Sequence, residues 1–209
     1  MVPDILFVVV IIFSVILHEV AHGYTANSLG DTTAKDAGRL TLNPIPHIDM
    51  IGTIIVPAAL VLFNPGFVFG WAKPVPYNPY NLRGRFGELL VAAAGPLTNI
   101  GIAVLFALAF HLTLSSVPAA ITELFVLAVF VNLFLAVLNL LPIPPLDGAK
   151  ICSSLLSAKQ RLALEDKVAS VVNVNSIFFM IIVLLFIVFV VLEHLVTFTK
   201  FLSFILLGG

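Results

Sequence analysis

The chain has 209 residues, of which 60% are apolar and 10% charged, with a formal net charge of −1. With a mean hydropathy of +1.15, it has too little charge to keep a water-soluble domain dispersed, which makes it a polytopic membrane protein by composition, read as all-α from its long apolar runs. The near-zero charge excludes a basic nucleic-acid binder, and the single cysteine, Cys152, excludes an intrachain disulfide and a thiolate zinc site, so a bound metal has to use His and carboxylate ligands.

The first predicted element, Asp4–Tyr24, is apolar from Ile5 to Leu17 except for Ser14, and then carries His18-Glu19-Val20-Ala21-His22. It has no basic leader and no small-residue cleavage site, so it reads as a retained helix and not as a signal peptide. An ionisable side chain at membrane depth costs roughly 2.5–3.5 kcal/mol on insertion scales, which marks these residues as functional. His18 and His22 lie one turn apart on one helix face. At that spacing two imidazoles share one Zn²⁺, with Glu19 beside the metal to act on water. The pattern implies a metal hydrolase with its site in the bilayer.

Ile51–Phe63 is apolar but short for a span, and Asn64-Pro65-Gly66 closes it with a turn signal. Phe67–Trp71 resumes the apolar run before Lys73-Pro74-Val75-Pro76. Long apolar stretches follow at Phe86–Leu114, Pro118–Leu141 and Ser176–Leu192, with a further piece at Leu195–Leu207, for four to six transmembrane helices in all. Lys and Arg gather after the first helix (Lys35, Arg39), before the second (Lys73, Arg83, Arg85) and after the third (Lys150, Lys159, Arg161, Lys167). The start of the chain and the Thr113–Val117 link carry none. The positive-inside rule then puts the basic segments in the cytoplasm and the N-terminus outside. Both flanks of Ile51–Trp71 fall on the cytoplasmic side, which predicts a short re-entrant or β-hairpin element between the first two long helices. The alternative is a short helix crossing a thin bilayer.

An HExxH string needs a third ligand to be specific. The metzincin continuation fails, because Thr25 and Ser28 occupy its Gly and His places, and the next Glu after Glu19 is the distant Glu88. In Asn139-Leu140-Leu141-Pro142-Ile143-Pro144-Pro145-Leu146-Asp147-Gly148, three prolines force an apolar helix to unwind in front of one carboxylate. Asp147 alone reads either as a metal ligand or as the N-cap of a short helix, Ala149–Leu156. Beside the histidine pair, the ligand reading is the stronger. His111 and His194 read as interfacial, and His47 with Asp49 as loop residues just after the metal helix, an outer or gating role being the lesser alternative. Cys152, Asn99 and Asn132 read as packing, and Gly95-Pro96 as a helix irregularity allowing close approach to the zinc helix.

Together HEVAH, Asn43-Pro44-Ile45-Pro46-His47-Ile48-Asp49, Gly70-Trp71-Ala72-Lys73-Pro74-Val75, Ala94-Gly95-Pro96-Leu97-Thr98-Asn99 and Asn139–Gly148 resemble, in order, the site-2 protease family of intramembrane zinc metalloproteases. The resemblance implies one Zn²⁺ held by His18, His22 and Asp147, Glu19 as general base, and Asn139 binding substrate backbone near the metal. It implies a hydrolase acting on membrane-embedded protein or peptide substrates within the lipid bilayer, with a homo-oligomer left open. The family's larger members add PDZ or CBS sequence, which is not found here, so 1–209 reads as a single transmembrane metalloprotease domain. Its catalytic core is about 4–158 and its C-terminal helix or helices 176–207. Ala149-Lys150 departs from the family's usual Gly-Arg or Gly-Gly and touches no implied ligand. The Phe67–Asn78 stretch could offer an edge strand to an extended substrate. The resemblance and the basic segments together suggest a prokaryotic cell membrane, with the site towards the cytoplasm. Competing readings are a zinc transporter or inactive adaptor, which would not need all four groups converging on one place, and a prenyl-processing protease, which would need a Glu ligand.

Overall fold

A computed structural model describes residues 2–63, 70–113, 117–156, 160 and 192–208. Among them every regular element is helical. Among the described residues three helices are long and apolar enough to cross a membrane: Leu6–Ser28, Gly87–Thr113 and Ala119–Asn139. The expected turn at 64–66 and residues 176–191 of the expected fourth long helix lie outside the described residues. The chain divides into two compact units, Met1–Thr98 and Asn99–Gly209.

In the first unit, α1 (Val2–Ser28) runs one turn beyond the predicted end. Hydropathy falls at His18, but nothing breaks the backbone helix until Gly30, whose φ of +108° suits a residue without Cβ. Ser14, His18, His22 and Ala26 recur every four residues along the buried stripe, whereas Phe7, Phe13 and Tyr24 are exposed. A short helix, α2 (Thr33–Asp36), follows.

Past a 3-10 turn at Ile45–His47, Asp49 accepts the Gly52 N–H at 2.6 Å and opens a π-helical stretch, Met50–Ile55, that runs into α3 (Val56–Phe63). On the far side of that segment, the Trp71 N–H donates to the Gly52 carbonyl at 3.1 Å and the Thr53 hydroxyl to the Trp71 carbonyl at 2.9 Å. Residues 70–78 form no regular structure. No strand forms among the described residues. Pro74 and Pro76 have no N–H with which to build a ladder, so the edge that the sequence suggested is an irregular strap.

That strap is tied to the loop after α1. The Lys73 N–H donates to the His47 carbonyl at 2.9 Å, Arg39 Nη2 to the Lys73 carbonyl at 2.7 Å, and the Asn78 N–H to Asp31 Oδ2 at 2.7 Å. Asp31, fully buried, also accepts from the Thr33 hydroxyl at 2.6 Å and from Asn81 Nδ2 at 2.9 Å. Burial alone would raise its carboxyl. Hydrogen bonds from the Thr33 hydroxyl, Asn81, the Asn78 N–H and the Thr33 N–H outweigh that and hold it below the ordinary value of 3.8. Helix α4 (Gly87–Thr113), which begins in this unit, carries Pro96 inside it.

In the second unit, the later part of α4, α5 (Ala119–Asn139) and α7 (Leu192–Leu207) share a core of Ala103, Ala107, Val129 and Leu133, with Phe106 and Leu202 against it. Ala103 and Ala107 are one turn apart, and such small residues let helix backbones approach in a membrane. Asn99 Nδ2 donates to Asn132 Oδ1 at 2.9 Å, and Asn132 Nδ2 donates to the Ala128 carbonyl at 2.9 Å. Both amides are buried, as their packing role requires, and such an interhelical bond contributes on the order of 1 kcal/mol. Helix α6 (Asp147–Leu155) follows the prolines.

Asp31 binds fewer protons folded than unfolded, so its stabilisation is complete above the ordinary value of 3.8 and is lost as pH falls through the lower, folded value. Thermal melts of detergent-solubilised chain between about pH 6 and pH 3 should show the wild type losing stability in acid. Asp31→Asn should be less stable at the upper end and flatter across the range; parallel curves for the two proteins would refute this.

Candidate metal centre

Helix α1 presents the two imidazoles edge to face, with ring centroids 4.7 Å apart and planes at 84°. Their Nε2 atoms are separated by 3.0 Å. A carbonyl only accepts, so the 2.6 Å bond between His22 Nδ1 and the Val91 carbonyl puts the proton on Nδ1 and leaves Nε2 with its lone pair. Two nitrogens bound to one tetrahedral zinc stand about 3.3 Å apart, given Zn–N of roughly 2.0–2.1 Å. The observed pair is close to that before any ion is considered.

Gly95 of α4 faces both rings. A Cβ built there would lie 2.5 Å from His18 Nε2 and 2.5 Å from His22 Nε2. The space in front of the two Nε2 atoms therefore exists only because residue 95 has no side chain. The expected close approach to the histidine helix falls at Gly95, whereas the expected irregularity does not: α4 runs as one α-helix through Gly95-Pro96. Two Nε2 atoms at this spacing, a fixed His22 tautomer and a side-chain-free wall fit zinc.

Glu19 follows His18 and is half-buried, and its Oε2 accepts the Val75 N–H at 2.8 Å. His18, His22 and Glu19 are thereby brought together by one helix, one carbonyl of α4 and one amide of the strap.

Asp147 and Asn139 belong to the second unit. Asp147 is buried and is the first residue of α6; the cap position is Leu146, which makes no side-chain cap bond. Asp147 is therefore not the N-cap that its sequence context allowed. Lys150 Nζ lies 3.9 Å from its Oδ1. Gly148 abuts the carbonyls of Leu140 and Leu141, where a Cβ would clash, so the chain folds back tightly after α5. Asn139 ends α5, half-buried, and its Nδ2 donates to the Leu135 carbonyl at 2.9 Å.

His47 is buried in the loop, with Nε2 on the Thr41 carbonyl at 2.9 Å and Nδ1 without a partner among the described residues. His111 is exposed, with Nε2 3.0 Å from the Leu206 carbonyl, and His194 is exposed too. Cys152, expected to pack, is exposed on α6. Sequence reasoning missed the Val91 carbonyl and the Val75 amide, because a backbone group leaves no residue-type signal. It also passed over Asp31 and Arg39, which read locally as a loop acid and a positive-inside charge.

The chain matches the model of Peptidase family M50 over residues 113–183. It is 38% identical over 160 residues to "Putative zinc metalloprotease YwhC" of Bacillus subtilis, a match covering 71% of this chain and 68% of that protein. It is 31% identical over 135 residues to "Putative zinc metalloprotease Rip2" of Mycobacterium tuberculosis, covering 65% of this chain and 51% of the relative. With "Putative zinc metalloprotease MJ0611" of Methanocaldococcus jannaschii it shares 33% identity over 141 residues, 63% of that protein's length. The chain thus spans about half the mycobacterial relative and about two thirds of the Bacillus one. No solved structure matches it significantly. An HExxH helix whose paired Nε2 atoms meet a side-chain-free wall, with three helices fit to cross a membrane among the described residues, agrees with these likenesses: the chain belongs to peptidase family M50, the site-2 protease family of membrane zinc metalloproteases.

Proposed function

We propose that the chain is an intramembrane endopeptidase that hydrolyses peptide bonds in or near transmembrane segments of single-pass membrane proteins or remnant peptides. The observation that carries this is the pair of His18 and His22 Nε2 atoms, 3.0 Å apart and facing Gly95 on an otherwise apolar helix, with the Glu19 carboxylate held beside it. Zinc is held by His18, His22 and Asp147. Support for Asp147 is its burial at the start of α6, one residue past the cap position, together with the motif it ends. When bound, zinc supplies a Lewis acid that polarises the scissile carbonyl and makes water acidic enough to ionise near neutral pH. Glu19 accepts that proton through the oxygen not engaged by Val75 and delivers it to the leaving amine. Val91 keeps His22 in the ligating tautomer, and Asn139 receives substrate backbone.

The two units then form one metalloprotease domain of four to six transmembrane helices, placed in a prokaryotic cell membrane with the site towards the cytoplasm. The bacterial and archaeal relatives and the placement of Lys and Arg support this. A re-entrant course for the 51–71 stretch is supported by the bonds that join Gly52 and Thr53 to Trp71, since they bring its two ends together.

Glu19→Gln should retain close to one zinc per chain and lose cleavage by about 10²–10⁴-fold, the usual worth of a general base. Metal analysis beside a cleavage assay on tagged single-pass substrates reads both; wild-type cleavage would remove the role given to Glu19. Gly95→Ala puts a methyl where both Nε2 atoms lie, so zinc content should fall well below that of Glu19→Gln, whose carboxamide leaves the ligands alone. Equal zinc in the two variants would show that the wall at residue 95 is not part of the metal site. In a Cys152→Ser background, cysteines at the exposed positions Lys35 and Tyr80 should label from the same, cytoplasmic, side. Labelling from opposite faces would make 51–71 a true span.

A further inference from the structure

Building on the reading of Glu19 as general base, we propose that Arg39 and Asp31 are positioning residues for catalysis. They brace the strap at residues 73–78 so that the backbone N–H of Val75 fixes the Glu19 carboxylate. Glu19 has three rotatable side-chain bonds, and among the described residues its carboxylate accepts the 2.8 Å bond from the Val75 N–H. That bond occupies Oε2 and leaves Oε1 to meet water. Between Lys73 and Tyr77, the flanking Pro74 and Pro76 have no N–H, so Val75 is the one residue of 74–76 that can donate.

The Val75 side chain is docked on the same helix face. Gly23 lies one turn beyond Glu19, and a Cβ there would come 2.8 Å from Val75 Cγ1 and 3.2 Å from the Ala34 Cβ. Close contact at residue 23 sets the amide over residue 19. The strap cannot hold this place by itself, since it has no ladder. Two residues before Val75, Arg39 Nη2 grips the Lys73 carbonyl at 2.7 Å while the Lys73 N–H binds the His47 carbonyl. Three residues after it, Asp31 accepts the Asn78 N–H at 2.7 Å and is itself held by Thr33 and Asn81. Arg39 and Asp31 are both buried, and bonds to charged groups are roughly twice as strong as neutral ones. Misplacing a catalytic group by about 1 Å can cost 10²-fold in rate, so slack in the strap reads out in turnover.

The test uses the full chain in detergent micelles. Replacing Val75 by its α-hydroxy acid turns the Pro74–Val75 amide into an ester and deletes the N–H with no change of side chain. We expect kcat to fall about 10²-fold with KM and zinc content unchanged. Arg39→Met and Asp31→Asn should lower kcat in the same way but by less, and Arg39→Lys, which keeps a cationic donor, should recover most of the loss.

A second reading needs no turnover. Pro74–Val75 is the one Pro-Val pair in the sequence, so ¹³C-carbonyl proline with ¹⁵N-valine gives a single correlated amide signal in NMR. Its proton should lie downfield in the wild type and move upfield in Glu19→Gln, because a carboxamide oxygen accepts more weakly than a carboxylate. It should also move upfield in Asp31→Asn and Arg39→Met. If the ester variant does not fold, this signal decides the matter. An ester variant with wild-type kcat, or a Val75 amide indifferent to residue 19, overturns the proposal. Glu19→Gln separates the two layers: if it cleaves normally the base assignment is wrong, whereas if it is inactive and the ester is not, only the positioning role is.

Discussion

The hydrogen bond from His22 to the Val91 carbonyl is the interaction on which the first unit's chemistry depends. An imidazole on an apolar helix is costly unless each nitrogen has a use, and in a low-dielectric setting a satisfied bond is worth more and an orphan costs more. Spending Nδ1 on a backbone oxygen fixes the tautomer and the ring orientation together. It also requires α4 to come within side-chain reach of α1. At that separation there is no room for a Cβ at residue 95, and the same glycine that permits the approach forms the wall before the two Nε2 atoms. Ligand orientation and helix spacing are one constraint.

Polar groups then accumulate where α1 ends. Asp31, Arg39 and His47 are all buried, and each contributes to holding a strap that has no ladder of its own. Prolines in that strap act in two ways. They remove donors, which prevents a sheet, and they stiffen the chain around Val75, so few bonds are needed to hold its one amide in place. Irregular backbone needs protein partners wherever water cannot supply them. The links from Gly52, Thr53, His47 and Arg39 to residues 71–73 supply those partners.

The second unit meets the same constraint differently. Asn99 and Asn132 satisfy each other and the Ala128 carbonyl within a core of alanine, valine and leucine. The run of prolines after Asn139 ends α5 and lets α6 begin at Asp147, with Gly148 tucked against the carbonyls just passed.

Much of this was legible in the residues. The apolar runs predicted α1, α4 and α5 to within a turn, because a chain in lipid has to bury its backbone in helices wherever side chains are apolar. The i, i+4 histidines and the adjacent glutamate announced zinc chemistry, because few other uses justify three ionisable groups at that depth. Asp147 stood out as a carboxylate among prolines, yet its sequence could not separate ligand from helix cap; the observed start of α6 disposed of the cap. What only the tertiary structure decided was the set of backbone partners. Val91 and Val75 act through a carbonyl and an amide that every residue carries, and Asp31 and Arg39 act on residues more than thirty positions away. Sequence records which side chains a helix or a metal demands. Which main-chain atom meets them depends on how closely two segments approach, and that distance is set by packing.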